Sequence, residues 1–296
     1  MNHYLLIDVG GSSVKFAVTD DELNLTEKGK YPLAMKSPKE NFYAAMNHIH
    51  NMISTEVQGI AISMPGIIDE KAGINIASSM LNDRNVPVAQ VVKELTGVPV
   101  SVINDGYAAG MAELGFGNMR GIDNGIVMVL GTGIGGAMII NGSLHTGKRH
   151  AAANLSFLYT DINNPADPGT MTTNYSGIQG LKNAIEKTSG LKNIDGLKAF
   201  ELIKEGNEEV KKGIELFCDH LAFQIYNLES VLDMDRVLIG GGISNEPSFI
   251  TYVQEAVDRR WASAAVPFNK PEIMNCKYSS DANLIGAFYN WQLNHN

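Results

Sequence analysis

The sequence predicts an α/β protein whose plan is written twice, as two lobes of strands and helices with a central cleft. Two stretches carry this reading. HYLLIDVGGSSVKFAVTD (3–20) is a pair of apolar strands hinged on Gly10-Gly11-Ser12-Ser13, and GIVMVLGTGIGGAMIINGSL (125–144) is a second such pair around a glycine turn. Each opens a new run of strands and helices. The chain therefore divides into an N-terminal lobe over 1–116 and a C-terminal lobe over 117–296. The 296 residues are enough for two cores of ordinary size.

The elements follow in order. SPKENFYAAMNHIHNMI (37–53) opens with a capping box, Ser37 and Glu40, with Pro38 at the first helical position. Phe42, Met46, Ile49 and Ile53 share one face of that helix. GIAISMPGIID (59–69) is a buried strand broken at Pro65-Gly66, PVAQVVKELTG (87–97) is a helix, and VPVSVI (98–103) is a strand running into Asn104 and Asp105. A small-residue helix follows at once. In the second lobe, 208–232 is a long helix with Val210, Ile214, Phe217, Leu221, Ile225, Leu228 and Leu232 along one side. DRVLIGGGIS (235–244) is a strand with a glycine turn. The terminal helix at 281–293 is expected to pack back on the first lobe. The polar, proline-containing stretch 159–176 reads as a long loop.

Composition bounds the function. Apolar residues make up 44% and charged residues 19%, as in an ordinary soluble protein. A net charge of −9 argues against a nucleic-acid partner. Cys218 and Cys276 form no paired motif and read as buried thiols in a reducing cytosol. The N-terminus has no basic region and no long apolar run, and no segment approaches a membrane span. The expectation is a soluble, cytoplasmic protein without a membrane partner. His145 and His150 read as solvated loop histidines.

Gly131-Thr-Gly-Ile-Gly-Gly136 matches the dinucleotide fingerprint, but a strand follows where that motif needs a helix N-terminus. What remains is three glycine turns at strand ends, 8–13, 130–136 and 239–244. Any one alone is an ordinary turn. Three together point to phosphate binding, since glycine lets main-chain N–H groups close on an anion. Ser12, Ser13 and Thr132 add hydroxyls, and Lys15 adds a positive charge if it points inward. Asp8 and Asp105 sit at strand carboxyl ends, where ligands of open α/β sheets bind. Asp8 suits Mg²⁺, directly or through water, or else a turn. Asp105 is either an N-cap or the acceptor of a substrate hydroxyl proton.

These motifs together resemble the ROK family (repressors, open reading frames and kinases) of the actin/hexokinase-like ATPase superfamily. DVGGSSVK is similar to its DxGGTxxK turn, and GIAISMPGIID to its GIxxPGxxD segment. VINDGYAAGMAE (102–113) is similar to its xxNDxxAAxxAE, and 130–147, 237–244 and 279–288 to its remaining blocks, in order. The resemblance implies a two-lobed fold of ribonuclease H-like duplication, with ATP and sugar meeting in the cleft, and a homodimer. It implies Asp105 as catalytic base and Asn104, Asn82 and Gly66 as sugar contacts. ATP and Mg²⁺ are then expected on Asp8, Gly10, Gly11, Ser12, Ser13, Lys15, Gly131, Thr132, Gly133, Gly135, Gly240, Gly241 and Gly242.

Two departures bear on the sugar. The cysteine cluster of the family's zinc site has no counterpart, so no zinc is expected. In the A-G-E-x-G-H block, here 152–157, Asn154 replaces Glu and Phe157 replaces His. An amide can still bond a hydroxyl, and Phe157 offers a stacking face. This layout resembles the family's β-glucoside kinases, which phosphorylate the 6-hydroxyl of cellobiose-like sugars. The expected substrate is the 6-hydroxyl of such a β-glucoside or of glucose, with N-acetylmannosamine or another hexose as the alternative. A catalytically silent sugar-binding relative is the competing class. A DNA-binding regulator is disfavoured because the first glycine turn begins at residue 8.

Overall fold

The computed structural model describes residues 2–34, 38–78, 80–81, 83–266 and 269–295. The first strands, β1 (His3–Val9) and β2 (Ser13–Asp20), form the expected antiparallel hairpin, with Asp8 opposite Lys15. They are followed by β3 (Thr26–Pro32), α1 (Lys39–Met52), β4 (Gly59–Met64) and β5 (Ile67–Asp69). Next come β6 (Ile74–Ser78), β7 (Asp83–Val86), α2 (Val88–Thr96), β8 (Val100–Asn104) and α3 (Asp105–Phe116). The chain continues as β9 (Gly125–Leu130), β10 (Ile134–Ile140) and β11 (Ser143–Leu144). Then come α4 (Thr173–Ser176), α5 (Ile178–Ser189), α6 (Gly196–Lys204) and α7 (Glu208–Leu232). It ends with β12 (Arg236–Gly241), α8 (Phe249–Ala262), β13 (Glu272–Asn275) and α9 (Ala282–His295).

Two five-stranded sheets have the same design. One runs β3-β2-β1-β4-β8 and the other β11-β10-β9-β12-β13. In each, an antiparallel meander leads into two parallel pairings, β1 with β4 and β4 with β8, then β9 with β12 and β12 with β13. A small sheet, β5-β6-β7, hangs from the first. The chain forms two compact units: Met1–Phe116, Thr146–Ala152 and Ser280–Asn296 in one, Gly117–His145 and Ala153–Ser279 in the other. The short segment 146–152 thus belongs to the first unit although it lies within the second half of the sequence.

In the first unit the sheet buries Leu5, Ile7, Ile60 and Ile62 against Phe42, Met46 and Ile49 of α1. Ile53 lies just beyond the end of α1 and is half-buried. Pro38 occupies the cap position of α1 and not its first turn, and Ser37 lies outside the described residues. Helix α3 is built of small residues because α9 packs directly on it. Gly286 of α9 faces the Ala108 carbonyl so closely that a Cβ there would lie 1.6 Å from the oxygen. Tyr4 then packs at a tilt against Phe288 and Trp291 of α9, with ring centroids 5.0 and 4.6 Å away.

In the second unit α7 buries Val210, Ile214, Phe217, Leu221 and Ile225, with Leu228 and Leu232 partly buried at its end. Asn207 caps the helix by accepting the Val210 amide at 3.0 Å. The stretch 159–176 is more ordered than a loop. It holds a 3₁₀ turn at Pro168–Thr170 and all of α4, and Tyr159 bridges Met171. Cys218 is buried, whereas Cys276 is only half-buried against Gly240. No helix among the described residues is long and apolar enough to cross a membrane.

Candidate active site

In the first unit the parallel strands β1, β4 and β8 end side by side. Asp8, the last residue of β1 paired with β4, lies opposite Ser63, and Met64 at the end of β4 lies opposite Asn104 at the end of β8. Helix α3 starts immediately after, and its cap decides what Asp105 can do. The Asn104 carbonyl oxygen Oδ1 accepts the amide of Tyr107, three residues on, at 3.1 Å. That is the N-cap bond, so Asn104 caps the helix and Asp105 is its first residue. Asp105 Oδ1 accepts the Gly106 amide at 2.9 Å and Asn104 Nδ2 at 3.0 Å. Among the described residues Oδ2 takes no hydrogen bond.

Asn104 Nδ2 also donates to the Gly66 carbonyl at 2.8 Å. Both its amide hydrogens are therefore engaged inside the protein, and toward a substrate Asn104 offers only acceptor capacity. Behind Gly66, the fully buried Asn75 donates to the Pro65 carbonyl at 3.3 Å. Asn75 was not legible as a site residue, because a lone polar side chain between Ile74 and Ile76 reads as the solvent-facing position of an alternating strand. Asn82 lies outside the described residues.

Asp8 is buried, and its Oδ1 accepts Asn283 Nδ2 from α9 at 3.0 Å. Burial pushes its carboxyl above the ordinary range, the Asn283 bond and the Lys15 charge hold it back, and the Asp105 charge raises it further. Burial also raises Asp105, against the bonds from Gly106 and Asn104. Each carboxylate senses the strand end and helix start around it, and desolvation is the larger effect for both. In the turn after β1, Gly10 donates to the Ser13 carbonyl at 2.9 Å. The Gly11 and Ser12 amides have no hydrogen-bond partner among the described residues, and both residues are exposed. Lys15 points to this end of the sheet, with Nζ 3.4 Å from the Ser280 carbonyl. A buried carboxylate bonded by a neutral amide, beside open amides, suits Mg²⁺ held by one carboxylate, phosphate oxygens and water.

The second unit repeats the arrangement with other residues. The β9–β10 turn is Gly131, Thr132 and Gly133, with Thr132 exposed, while Gly135 lies inside β10 opposite Val129. Ser156 Oγ accepts the Ile134 amide at 2.7 Å and braces this turn. Gly240 and Gly241 end β12, and Gly242 begins a 3₁₀ turn. Gly241 has φ +99°, and a Cβ there would lie 2.1 Å from the Leu130 carbonyl, so only glycine fits between the two turns. Beside them opens a cavity of about 400 Å³. Leu130, Ile178, Leu181, Phe217 and Ile243 wall it, and Asp195 and Glu246 add polar groups. The sequence reading missed the helices α5 and α6 that supply part of this wall. Ile178, Leu181 and Ile185 at helical spacing, with Gly190 as a left-handed cap, were the available signal. Asn154 is exposed just before a 3₁₀ turn at Leu155–Phe157, and Phe157 is 63% exposed.

One histidine departs from the sequence expectation. His145 is exposed, but His150 is half-buried, with Nδ1 3.1 Å from Glu70 Oε2 and Nε2 3.7 Å from Asp69 Oδ2.

The family model described as the ROK family matches residues 4–293. A beta-glucoside kinase of Listeria innocua is 27% identical, over 96% of this chain and 95% of its own. An N-acetylmannosamine kinase of Citrobacter koseri is 25% identical, over 96% of each chain. Among solved structures, a ROK family protein from Streptococcus pneumoniae in complex with sucrose has a TM-score of 0.86 and 27% identity, covering 98% of both chains.

Proposed function

The chain belongs to the ROK family, and on that footing we propose that it is an ATP-dependent sugar kinase in which Asp105 is the catalytic base. The carrying observation is the geometry of Asp105. Because Asn104 caps α3, the second carboxylate oxygen of Asp105 takes no hydrogen bond among the described residues at the strand ends, and its charge is felt at Asp8. Burial raises its affinity for a proton, as a general base requires.

In the proposed reaction Asp105 Oδ2 accepts the proton of a sugar hydroxyl. The hydroxyl oxygen attacks the γ-phosphorus of ATP, the bond to the bridging oxygen breaks, and ADP leaves. Such a transfer depends mostly on placing nucleophile and phosphoryl group in line and on offsetting charge. Asn104 holds Asp105, and the amides of Gly11 and Ser12 and the Lys15 ammonium serve the phosphates. Asp8 would hold Mg²⁺, whose role when bound is to offset phosphate charge. The apolar cavity beside Gly242 supports a purine site on the second unit, with the Gly131–Gly133 turn on the phosphate side.

For the substrate we favour a β-glucoside such as cellobiose, phosphorylated at the 6-hydroxyl, or glucose itself. The likeness to a beta-glucoside kinase and the exposed Phe157 ring, a face on which an aglycone can stack, support this reading. The test is ATP turnover with cellobiose, glucose and N-acetylmannosamine side by side. Cellobiose is expected to equal or exceed glucose in kcat/KM. Turnover of cellobiose far below that of glucose would overturn the β-glucoside assignment. No turnover with any sugar would overturn the kinase reading.

A further inference from the structure

The segment 146–152 packs with the first unit, whereas the chain through His145 and from Ala153 onward belongs to the second. It is closed on itself by the Ala152 amide donating to the Thr146 carbonyl at 3.0 Å. Its backbone is unfavourable at one place within it and at one just past its end. His150 has φ +53° and Ala153 has φ +55°, left-handed conformations that residues bearing a Cβ avoid. Something must hold it there.

Two side chains do. Tyr107, on the first turn of α3, donates its hydroxyl to the Ala152 carbonyl at 2.8 Å. His150 reaches between two carboxylates, Glu70 at 3.1 Å and Asp69 at 3.7 Å. Glu70 in turn has few other partners, for its Oε1 is buried and lacks a hydrogen bond among the described residues. The charged and titratable groups around the imidazole are Asp69 and Glu70 from the end of β5 and, next to Glu70, Tyr107 from α3. Lys148 and Arg149 lie on its own segment. Burial and the Glu70 charge push the Tyr107 hydroxyl to about 12, which keeps it a donor at neutral pH.

We propose that His150 is a positioning residue for the sugar side of the site. Gripped by Asp69 and Glu70, its ring fixes the segment 146–152 on the first unit, immediately ahead of Asn154 in the chain. The fastening stands on the geometry alone. The consequence for sugar rests on the reading of Asn154 as a sugar contact.

The test uses His150→Asn, Glu70→Gln and the double variant in the full chain. Asparagine tolerates the left-handed backbone, so His150→Asn removes the grip without adding strain. Hydrogen exchange is followed by mass spectrometry on the peptide spanning 146–152, alongside steady-state kinetics. Each single variant is expected to lose protection in that peptide and little elsewhere. Each raises the sugar KM about tenfold, the scale of one charge-assisted hydrogen bond, with kcat and the ATP KM within about twofold. The double variant is expected to match the worse single one, since both remove one contact. Unchanged protection in 146–152 overturns the fastening. Lost protection with an unchanged sugar KM, or a fall confined to kcat, overturns the positioning role. A wild type that turns over no sugar counts against the proposed function and the sugar consequence, and hydrogen exchange still decides the fastening.

Discussion

Substituting Gly286 with alanine should damage both carboxylates of the site from a position that touches neither. The added Cβ would lie 1.6 Å from the Ala108 carbonyl oxygen and 2.5 Å from its carbon. Carbon and oxygen approach to about 3.3 Å at closest, so α9 must withdraw from α3 by roughly 1.7 Å. The obstacle is backbone and cannot rotate aside. Overpacking of this kind costs about 1–3 kcal/mol, and the upper end applies here, which lowers the Tm by roughly 6–12 °C at about 2–4 °C per kcal/mol. Ala108 is one turn from Asp105 on α3. Asn283, which bonds Asp8 at 3.0 Å, is one turn from Gly286 on α9. One displacement therefore shifts the proposed base and loosens the proposed Mg²⁺ carboxylate together. Misplacement by about 1 Å costs on the order of 10² in rate. The assay is thermal unfolding with sugar-dependent kcat/KM, and Leu293→Ala, at an exposed position of the same helix, is the control. Gly286→Ala with wild-type Tm and kcat/KM would refute the reasoning.

Other expectations follow from the same geometry. Burial raises Asp105, and a base must be ionised to act, so the acidic limb of kcat/KM should lie above the ordinary aspartate value of 3.8. A pH–rate profile with no acidic limb above pH 4 contradicts that. A folded-state pKa above the unfolded one means stability that is full below the unfolded value and is lost as pH rises through the folded one. Asp105→Asn should therefore stabilise the protein at pH 7.5, by about 0.5–2 kcal/mol, with the gain vanishing below pH 4. A denaturant titration showing equal or lower stability at pH 7.5 rules it out. Phe157→Ala should raise the cellobiose KM about 2- to 10-fold, the range of an aromatic contact, and leave the glucose KM unchanged. Equal effects on both sugars would remove Phe157 from the aglycone.

The parts of the fold that could be read directly were those in which a physical constraint leaves a residue signature. Glycines at strand ends marked the turns after β1, β9 and β12, and the run of small residues after Asp105 marked α3 as a helix, though not the helix packed on it. β3 escaped because its edge position asks for lysines such as Lys28 and Lys30, not an apolar run. β6 and β7 escaped because a small, partly exposed sheet tolerates polar residues. At the site, Asp8 and Asp105 could be named from their places at strand ends. The division of labour between Asn104 and Asp105 could not, since both residues are good caps and only the bond to Tyr107 separates them. The grip on His150 was invisible for a different reason. Its partners lie some eighty residues earlier in the chain, and a long-range hydrogen bond leaves no local pattern.

The most direct measurement is ADP release by the wild type and by Asp105→Asn, with sugar present and absent. If a hydroxyl proton passes to Asp105, the wild type shows sugar-dependent release and the variant loses about 10²- to 10⁴-fold in kcat while its ATP KM holds. Equal sugar-dependent rates in the two proteins would contradict the account.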